Sequence, residues 1–578
     1  MPGGMQRWPN AAGFSPGAAG ASRRAWAVVA AAWVVGLAVL LTWVLRTPAA
    51  LLRDQLRVFQ FWSLEICVAL GLATSAVVLW RVGRQLTRDD ILKLTAVAAV
   101  ALGLTLGVAP RTNRIYYDEQ IYQNIGQNLA DSKRAQLCND GAVEDGRLRC
   151  ARGEYNKQPY AYPHLLSVVY RMAGVGTTGA FAVNAIAMAV TVCFLYLLVV
   201  VLFSDRVAAF FAALLLALTP EQLVWSATAA VEPSASLACV AALLAAACFV
   251  RFKNTVSLVG AAVAAAYAVQ FRPESVLIVP VVGVLLWQRS PEEFRRPRLW
   301  WAALLFLALV AVHVGHMVAV RNEGWGTTQE RLSIAYLAGN LRVNGWFYLA
   351  DARFPMTYAW LAMLGLFGRR GQAEKTTIVC YFLFFFGIVL LFYAGSYNYG
   401  ADVRYSLSTY PSLAILGGLG VARLAAWITR LQPRLPALPG LTAVIALQFL
   451  WYLPVVRATD DGAWAARADV TFARSLVPEL LGHSYVLTHN PGMFQVWGVN
   501  AGQMSLAAEN PAYLEDLAVR YKDGVYLHWN FWCNVQDPVQ HEFCTRVLAL
   551  RAAESVHEYR ERDQHFILYR LSSSIRER

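Results

Sequence analysis

The chain is poor in charge. Only 15% of its 578 residues are Asp, Glu, Lys or Arg, while 57% are hydrophobic, and the mean hydropathy is +0.42. A soluble protein carries about a quarter of its residues as charges, so a string of water-soluble domains is excluded. Disorder is excluded as well, because so much apolar surface must be buried or bathed in lipid. The formal net charge of +13 does not point to nucleic acid. The Lys and Arg residues sit in short clusters between apolar runs, as in the cytoplasmic loops of a membrane protein. The first apolar run lacks a small-residue cleavage site and reads as a span rather than a signal peptide. The polar C-terminal stretch holds no nucleophile motif, phosphate loop or metal triad.

What the chain does have is apolar runs of membrane length, which is about 20 residues or fewer for a helix packed among others. They lie near 25–45, 59–80, 91–109, 179–203, 207–220, 234–250, 255–270, 274–287, 299–320, 355–367, 376–395, 405–428 and 439–454, thirteen in all. Placing Arg23 and Arg24 inside puts Arg81, Arg84, Arg88, Lys93, Arg206, Arg251 and Lys253 on the same side. Arg289, Arg295, Arg296, Arg298, Arg369, Arg370, Lys375, Arg430 and Arg434 follow them. That bias makes the N-terminus cytoplasmic and the C-terminus extracytoplasmic. The expected architecture is an α-helical polytopic membrane protein of about 13 transmembrane helices with a C-terminal extracytoplasmic α+β domain. Residues 1–24 are a cytoplasmic tail, and 25–110 are N-terminal transmembrane helices. An outer loop spans 111–178, the transmembrane core 179–454, and the C-terminal domain 455–578. The expected setting is a bacterial inner or plasma membrane.

Five cysteines lie inside spans and read as small buried hydrophobes. Cys138 and Cys150 fall in the first outer loop, and Cys533 and Cys544 in the tail. Two close pairs on the side assigned as external fit disulfides in an oxidising compartment. A zinc site is the competing reading, but neither pair has CxxC spacing and the histidines of the tail are scattered. In the tail, an amphipathic stretch Ala463–Leu481 precedes strand-like runs Ser484–Thr488, Val525–Trp529 and His565–Leu571. Asn490-Pro491-Gly492 and Lys522-Asp523-Gly524 supply turns.

Polar residues at membrane margins mark function. Tyr116-Tyr117-Asp118-Glu119 follows the third span. Ile121, Tyr122, Ile125 and Leu129 continue it with helical periodicity, so both acids fall in the first turn of a surface helix. A solvated loop is the alternative. Lys157 lies in Asn156-Lys157-Gln158-Pro159-Tyr160-Ala161-Tyr162-Pro163-His164, where it is either a phosphate contact or an interfacial anchor. Glu232, the Arg272-Pro273-Glu274 turn and Asp402-Val403-Arg404-Tyr405 lie at span ends. All five places fall on the same outer face. They describe a cavity with carboxylates able to take a proton and cations able to hold an anionic leaving group. His313 and His316, three apart on one span, read as interhelical hydrogen-bond partners, with a metal contact as the alternative.

An Asp-Glu pair in the first long outer loop, a Lys-x-Pro-x-x-x-Pro stretch closing it, an Arg-Pro-Glu turn and a late Arg-Tyr together resemble the GT-C glycosyltransferases. The nearest branch is that of protein O-mannosyltransferases and the lipid A aminoarabinose transferase. The resemblance covers about 111–454, and it rests on the order and sidedness of the motifs. It implies a polyprenyl-phosphate sugar donor and an acceptor that is glycan, lipid or protein, with inverting transfer at the outer membrane face. By it, Asp118 would be the base, Glu119 would position substrate, and Glu232 would be a further acid of the site. Lys157, Arg272 and Arg404 would contact the donor phosphate. Tyr117, Tyr160, His164, Glu274 and Tyr405 would line the substrate cavity. No cofactor is expected, no metal ligand is assigned, and dependence on a divalent metal is not legible. The Asp-Glu pair follows the third span rather than the first, which an added N-terminal hairpin accounts for. A transporter or flippase of lipid-linked sugars is the alternative from a different class, but such proteins place charges at mid-membrane within paired repeats. A polymerase or ligase of lipid-linked glycans is the other.

Overall fold

The computed structural model describes residues 23–324, 330–459, 463–534 and 538–575. The expected tail 1–24 therefore lies almost wholly outside the described residues. In chain order the membrane part comprises α1 (Arg23–Arg46), α2 (Ala49–Gly83), α3 (Arg88–Gly107), α4 (Asp118–Ser132), the hairpin β1 (Leu137–Glu144) and β2 (Arg147–Glu154), then α5 (Ala161–Ala173), α6 (Thr177–Phe203), α7 (Arg206–Ala217), α8 (Pro220–Ser226), α9 (Glu232–Phe252), α10 (Thr255–Val269), α11 (Ile278–Arg289), α12 (Pro297–Ala319), α13 (Leu337–Ala350), α14 (Met356–Leu366), α15 (Gln372–Leu390), α16 (Tyr410–Leu431) and α17 (Ala437–Arg457). The C-terminal part adds α18 (Trp464–Leu480), β3 (Ser484–Thr488), α19 (Pro491–Val496), β4 (Asn500–Gln503), α20 (Met504–Glu509), α21 (Pro511–Arg520), β5 (Gly524–Trp529), α22 (Phe531–Asn534), α23 (Pro538–Leu550), β6 (Arg551–Glu561) and β7 (Gln564–Ile575).

All thirteen apolar runs are helical, but they are not thirteen helices of spanning length. Among the described residues nine helices are long and apolar enough to cross a membrane, or ten if α7 and α8, bent by 61°, form one broken span. Pro220 and the loop conformation of Thr219 set that bend, since proline starts a helix readily and cannot continue one. The runs 255–270, 274–287 and 355–367 give helices of 15, 12 and 11 residues. At 1.5 Å per residue these extend about 16–23 Å, short of the roughly 30 Å hydrocarbon core.

Small residues bring the central helices close. A Cβ on Gly365 of α14 would collide with the Leu416 carbonyl of α16, and one on Gly420 with the Leu361 carbonyl. Such contacts replace the hydrophobic drive that is missing between helices in lipid.

One seven-stranded sheet caps an end of the bundle in the order β2-β1-β4-β3-β5-β7-β6. β4, β3 and β5 run parallel, and the outer pairings are antiparallel. The tail does not build this sheet alone. The 137–154 segment of the first loop adds two strands at its edge, joined to β4 through Asp140↔Gly502 and Gly141↔Ala501. Asp145 and Gly146 have φ of 49° and 72°, the positive pair that a two-residue hairpin turn requires. The sulfurs of Cys138 and Cys150 are bonded, as are those of Cys533 and Cys544.

A band of carboxamides locks this cap to α4. Gln120, Asn124, Gln127 and Asn128 are buried on one helical face. Asn124 donates to Gln495 Oε1 at 2.7 Å and accepts from the Cys138 amide at 2.8 Å. Gln127 donates to the Gln495 carbonyl at 3.2 Å, and Asn490 donates to Gln120. A Cβ on Gly492 of α19 would lie 2.8 Å from that of Asn124, so the two helices touch backbone to side chain.

Candidate active site

Glu232 opens α9, with Pro233 beside it in the first turn, where a helix favours both proline and negative charge. Its side chain is 4% exposed. Oε1 accepts from Arg272 and, at 3.0 Å, from Nε of Arg404. Arg272 comes from the turn between α10 and α11 and also pairs with Glu274. Arg404 comes from the 3₁₀ segment Gly400–Ser408 that precedes α16. It donates to Asp402 Oδ1 at 3.0 Å and to the Tyr405 hydroxyl at 3.1 Å. Both guanidinium carbons lie over the Tyr405 ring, 5.0 and 4.7 Å from its centroid. Three separate chain segments thus deliver one ionic cluster. Burial pushes the Asp402 carboxyl up to about 6, against the pull of Arg404.

The cluster borders a small cavity, also lined by Ser236, Cys239, Ser275 and Ser408. Glu232 Oε2 and Ser236 Oγ are buried without a hydrogen-bond partner among the described residues. A buried polar atom left unpaired costs about 1–3 kcal/mol, so this cavity suits a polar ligand. Glu232, Ser236 and Cys239 lie on one face of α9, at a spacing of four and then three residues. That stripe is the signal in the sequence that could have found Ser236.

Asp118 is half-buried at the start of α4 and accepts from Gln158 Nε2 at 3.0 Å. Burial raises its carboxyl above the usual range. Arg404 pulls it down, Glu232 pushes it up, and Arg272 and Lys157 pull it down. Asp118 therefore shares the field of the cluster. Lys157 itself donates to the Gly324 carbonyl.

Four residues expected at the site, Glu119, Tyr160, His164 and Tyr117, are placed away from the arginine cluster. Glu119 is fully buried, and its Oε1 accepts from the amides of Arg114 and Ile115 at 2.6 and 2.9 Å. Its Oε2 accepts from the Ala229 amide at 2.9 Å. Both oxygens are thus engaged in tying α4 to the preceding loop and to the α8–α9 connection. Burial pushes this carboxyl up to about 7, against those three amides. Tyr160 exchanges hydrogen bonds with the backbone of Asn156, and its ring packs on Tyr155 and His316. His164 lies against Phe61 and Glu65 of α2, and burial pushes its imidazole down to about 4. His316 meets the Tyr155 hydroxyl at 2.8 Å and His313 ring to ring. Tyr117 lines a second cavity with His489, Gln503, Trp532 and Gln540. His489, Cys533 and Cys544 bring possible ligand atoms within 4.8 Å of one another. Metal binding needs thiolates, and here both sulfurs are held in the disulfide.

Residues 157–316 match the protein-family model described as dolichyl-phosphate-mannose-protein mannosyltransferase. The structure is similar to that of ArnT from Cupriavidus metallidurans bound to undecaprenyl phosphate, at 13% identity and a TM-score of 0.52, over 84% of this chain and 98% of that one. The apo state of ArnT gives 14% identity and a TM-score of 0.52, over 83% and 97%. The apo oligosaccharyltransferase of Archaeoglobus fulgidus is 12% identical with a TM-score of 0.47, over 80% and 73%. No curated protein sequence matches. The chain shares its fold with ArnT, and the segment that matches the mannosyltransferase family model lies inside the helical core.

Proposed function

We propose that the chain transfers a sugar from a polyprenyl-phosphate donor to an acceptor at the extracytoplasmic membrane face, by a single inverting displacement. One observation carries the reading. Two guanidiniums, from segments far apart in the chain, converge on one carboxylate oxygen beside a polar cavity in a helix bundle. Arginine forks match phosphate oxygens, and lipid-embedded cations are retained for such work. Glu232 acts as a positioning residue that holds both forks. ArnT was solved with undecaprenyl phosphate, which supports the donor class. The Lys/Arg bias of the loops supports the sidedness.

The acceptor oxygen forms its bond to the anomeric carbon as the bond from that carbon to the phosphate oxygen breaks. The acceptor proton passes to the Asp118 carboxylate, and the polyprenyl phosphate leaves against Arg272 and Arg404. A base whose pKa is raised towards neutrality accepts that proton better than an ordinary aspartate. The test is incubation of the purified protein with a panel of polyprenyl-phosphate sugars, with polyprenyl phosphate release as the readout. Asp118→Asn lowers release by about 10²–10⁴ with donor binding within a few-fold of wild type. Activity near wild type in that variant removes Asp118 from the mechanism.

A further inference from the structure

We infer that the second cavity, between Tyr117, His489, Gln503, Trp532 and Gln540, is an acceptor subsite that takes an uncharged carbohydrate ring. The inference rests on the transferase reading above and extends it to the class of acceptor.

The cavity holds about 160 Å³, below the roughly 300–1,000 Å³ of drug-sized sites and on the scale of a single small ring. Among the described residues its lining carries no carboxylate, lysine or arginine. A phosphate or an ionised substrate would find no counter-charge there. The lining instead combines two aromatic rings with two carboxamides and an imidazole. Tyr117 and Trp532 lie 5.3 Å apart at 51° and so form an angled aromatic wall. Aromatic faces bury the C–H face of a sugar ring, and carboxamides both donate to and accept from its hydroxyls. The indole N–H of Trp532 is buried without a partner among the described residues. A ligand oxygen would satisfy it, which accounts for a donor that is otherwise costly to bury.

The position of the cavity ties it to the chemistry. Tyr117 and Asp118 are consecutive, so their Cα atoms are about 3.8 Å apart. Tyr117 has φ 68° and ψ −52°, and the Asp118 amide donates to the Tyr116 carbonyl at 3.0 Å. This is a γ-turn of the positive-φ kind, which is rare and strained for a side chain bearing a Cβ. The turn joins the two sites, since Tyr117 lines the second cavity and Asp118 lies in the field of the arginine cluster. The other four lining residues come from the C-terminal cap, which gives that cap a task in the reaction.

The test uses full-length protein in lipid nanodiscs, free of sugar-based detergent. The probes are methyl α-mannopyranoside and methyl β-galactopyranoside at millimolar concentration, read by saturation-transfer NMR. Wild type should give signals at the ring C–H protons of at least one glycoside. Trp532→Ala and Gln503→Ala should each lose about tenfold in affinity, the worth of roughly 1.4 kcal/mol. Gln503→Ala guards against a folding fault in the tryptophan variant next to the disulfide. No signal from wild type, or unchanged affinity in both variants, overturns the inference. Binding of a polyprenyl phosphate is measured on the same samples. If that lipid binds and the glycosides do not, the acceptor subsite alone falls. If the glycosides bind and the lipid does not, the donor reading falls and the cavity stands as a sugar site.

Discussion

Arg404→Ala removes the one side chain that touches Glu232, Asp402 and Tyr405 together. The remaining cluster sets three carboxylates, Glu232, Glu274 and Asp402, against Arg272 alone. A desolvated phosphate then loses a charge-assisted contact worth about 2–3 kcal/mol. It also meets unbalanced negative charge, so donor affinity falls by about a hundredfold or more. The same change acts on Asp118, the proposed base. Among the charges around Asp118, Arg404 is the strongest of those that hold its pKa down, while burial holds it up. Without Arg404 the Asp118 pKa rises further, and the acid limb of kcat/KM moves to higher pH. Arg404→Lys keeps the charge and loses the fork, so its affinity loss is smaller and its limb stays in place. Polyprenyl-phosphate binding in nanodiscs and a pH–rate profile measure the two effects. Unchanged affinity, or an acid limb that moves to lower pH in the alanine variant, refutes the assignment of Arg404 to the donor phosphate.

Glu119→Gln leaves one of three backbone amides facing an NH₂ group, which costs about 1–3 kcal/mol of stability. The thermal midpoint should fall while kcat/KM of the surviving enzyme stays near wild type, and the reverse pattern would make Glu119 a substrate contact. Gly492→Leu forces α19 away from Asn124 at an overpacking cost of about 1–3 kcal/mol. A lowered midpoint with faster proteolysis of the sheet reports it, and an unchanged midpoint would mean that the two helices do not need that approach. Lys522 is exposed on the cap and should react with an impermeant amine reagent applied to intact spheroplasts. Labelling only after the membrane is opened would reverse the orientation.

The helical runs, the acid pair at the start of α4 and the tail strands Ser484–Thr488 and Val525–Trp529 were readable because each is a local pattern. Sidedness was enough to set Glu232, Arg272 and Arg404 on one face. Their sharing of a single oxygen was not readable, because it depends on how α9, α10 and the 3₁₀ segment before α16 pack. Adjacent acids looked alike on the page, yet helical rotation sends Glu119 into three amides and Asp118 towards the cluster. The hairpin β1–β2 did leave a trace in Asp145-Gly146, flanked by residues of β propensity such as Val143 and Leu148. The carboxamide face of α4 was equally visible as Gln120, Asn124, Gln127 and Asn128. Both were hidden by reading the loop and the tail as separate units, when each completes the other.

That sharing orders the biogenesis of the protein. Tyr485 reaches Asp140 across 345 positions of chain, which include the helices of the bundle from α6 to α17. The first-loop hairpin is made early and must wait with an open strand edge until the tail has been made and packs beside it. Unpaired edges recruit other chains, so the waiting hairpin is an aggregation hazard, and the Cys138–Cys150 bond keeps it short and closed meanwhile. A chain truncated before β4 would present that edge permanently. The cap therefore serves as a proof of completion. The γ-turn beside Asp118 is backed by Phe531 and Trp532 of the tail, so a chain that stops short lacks the wall against which that turn is set.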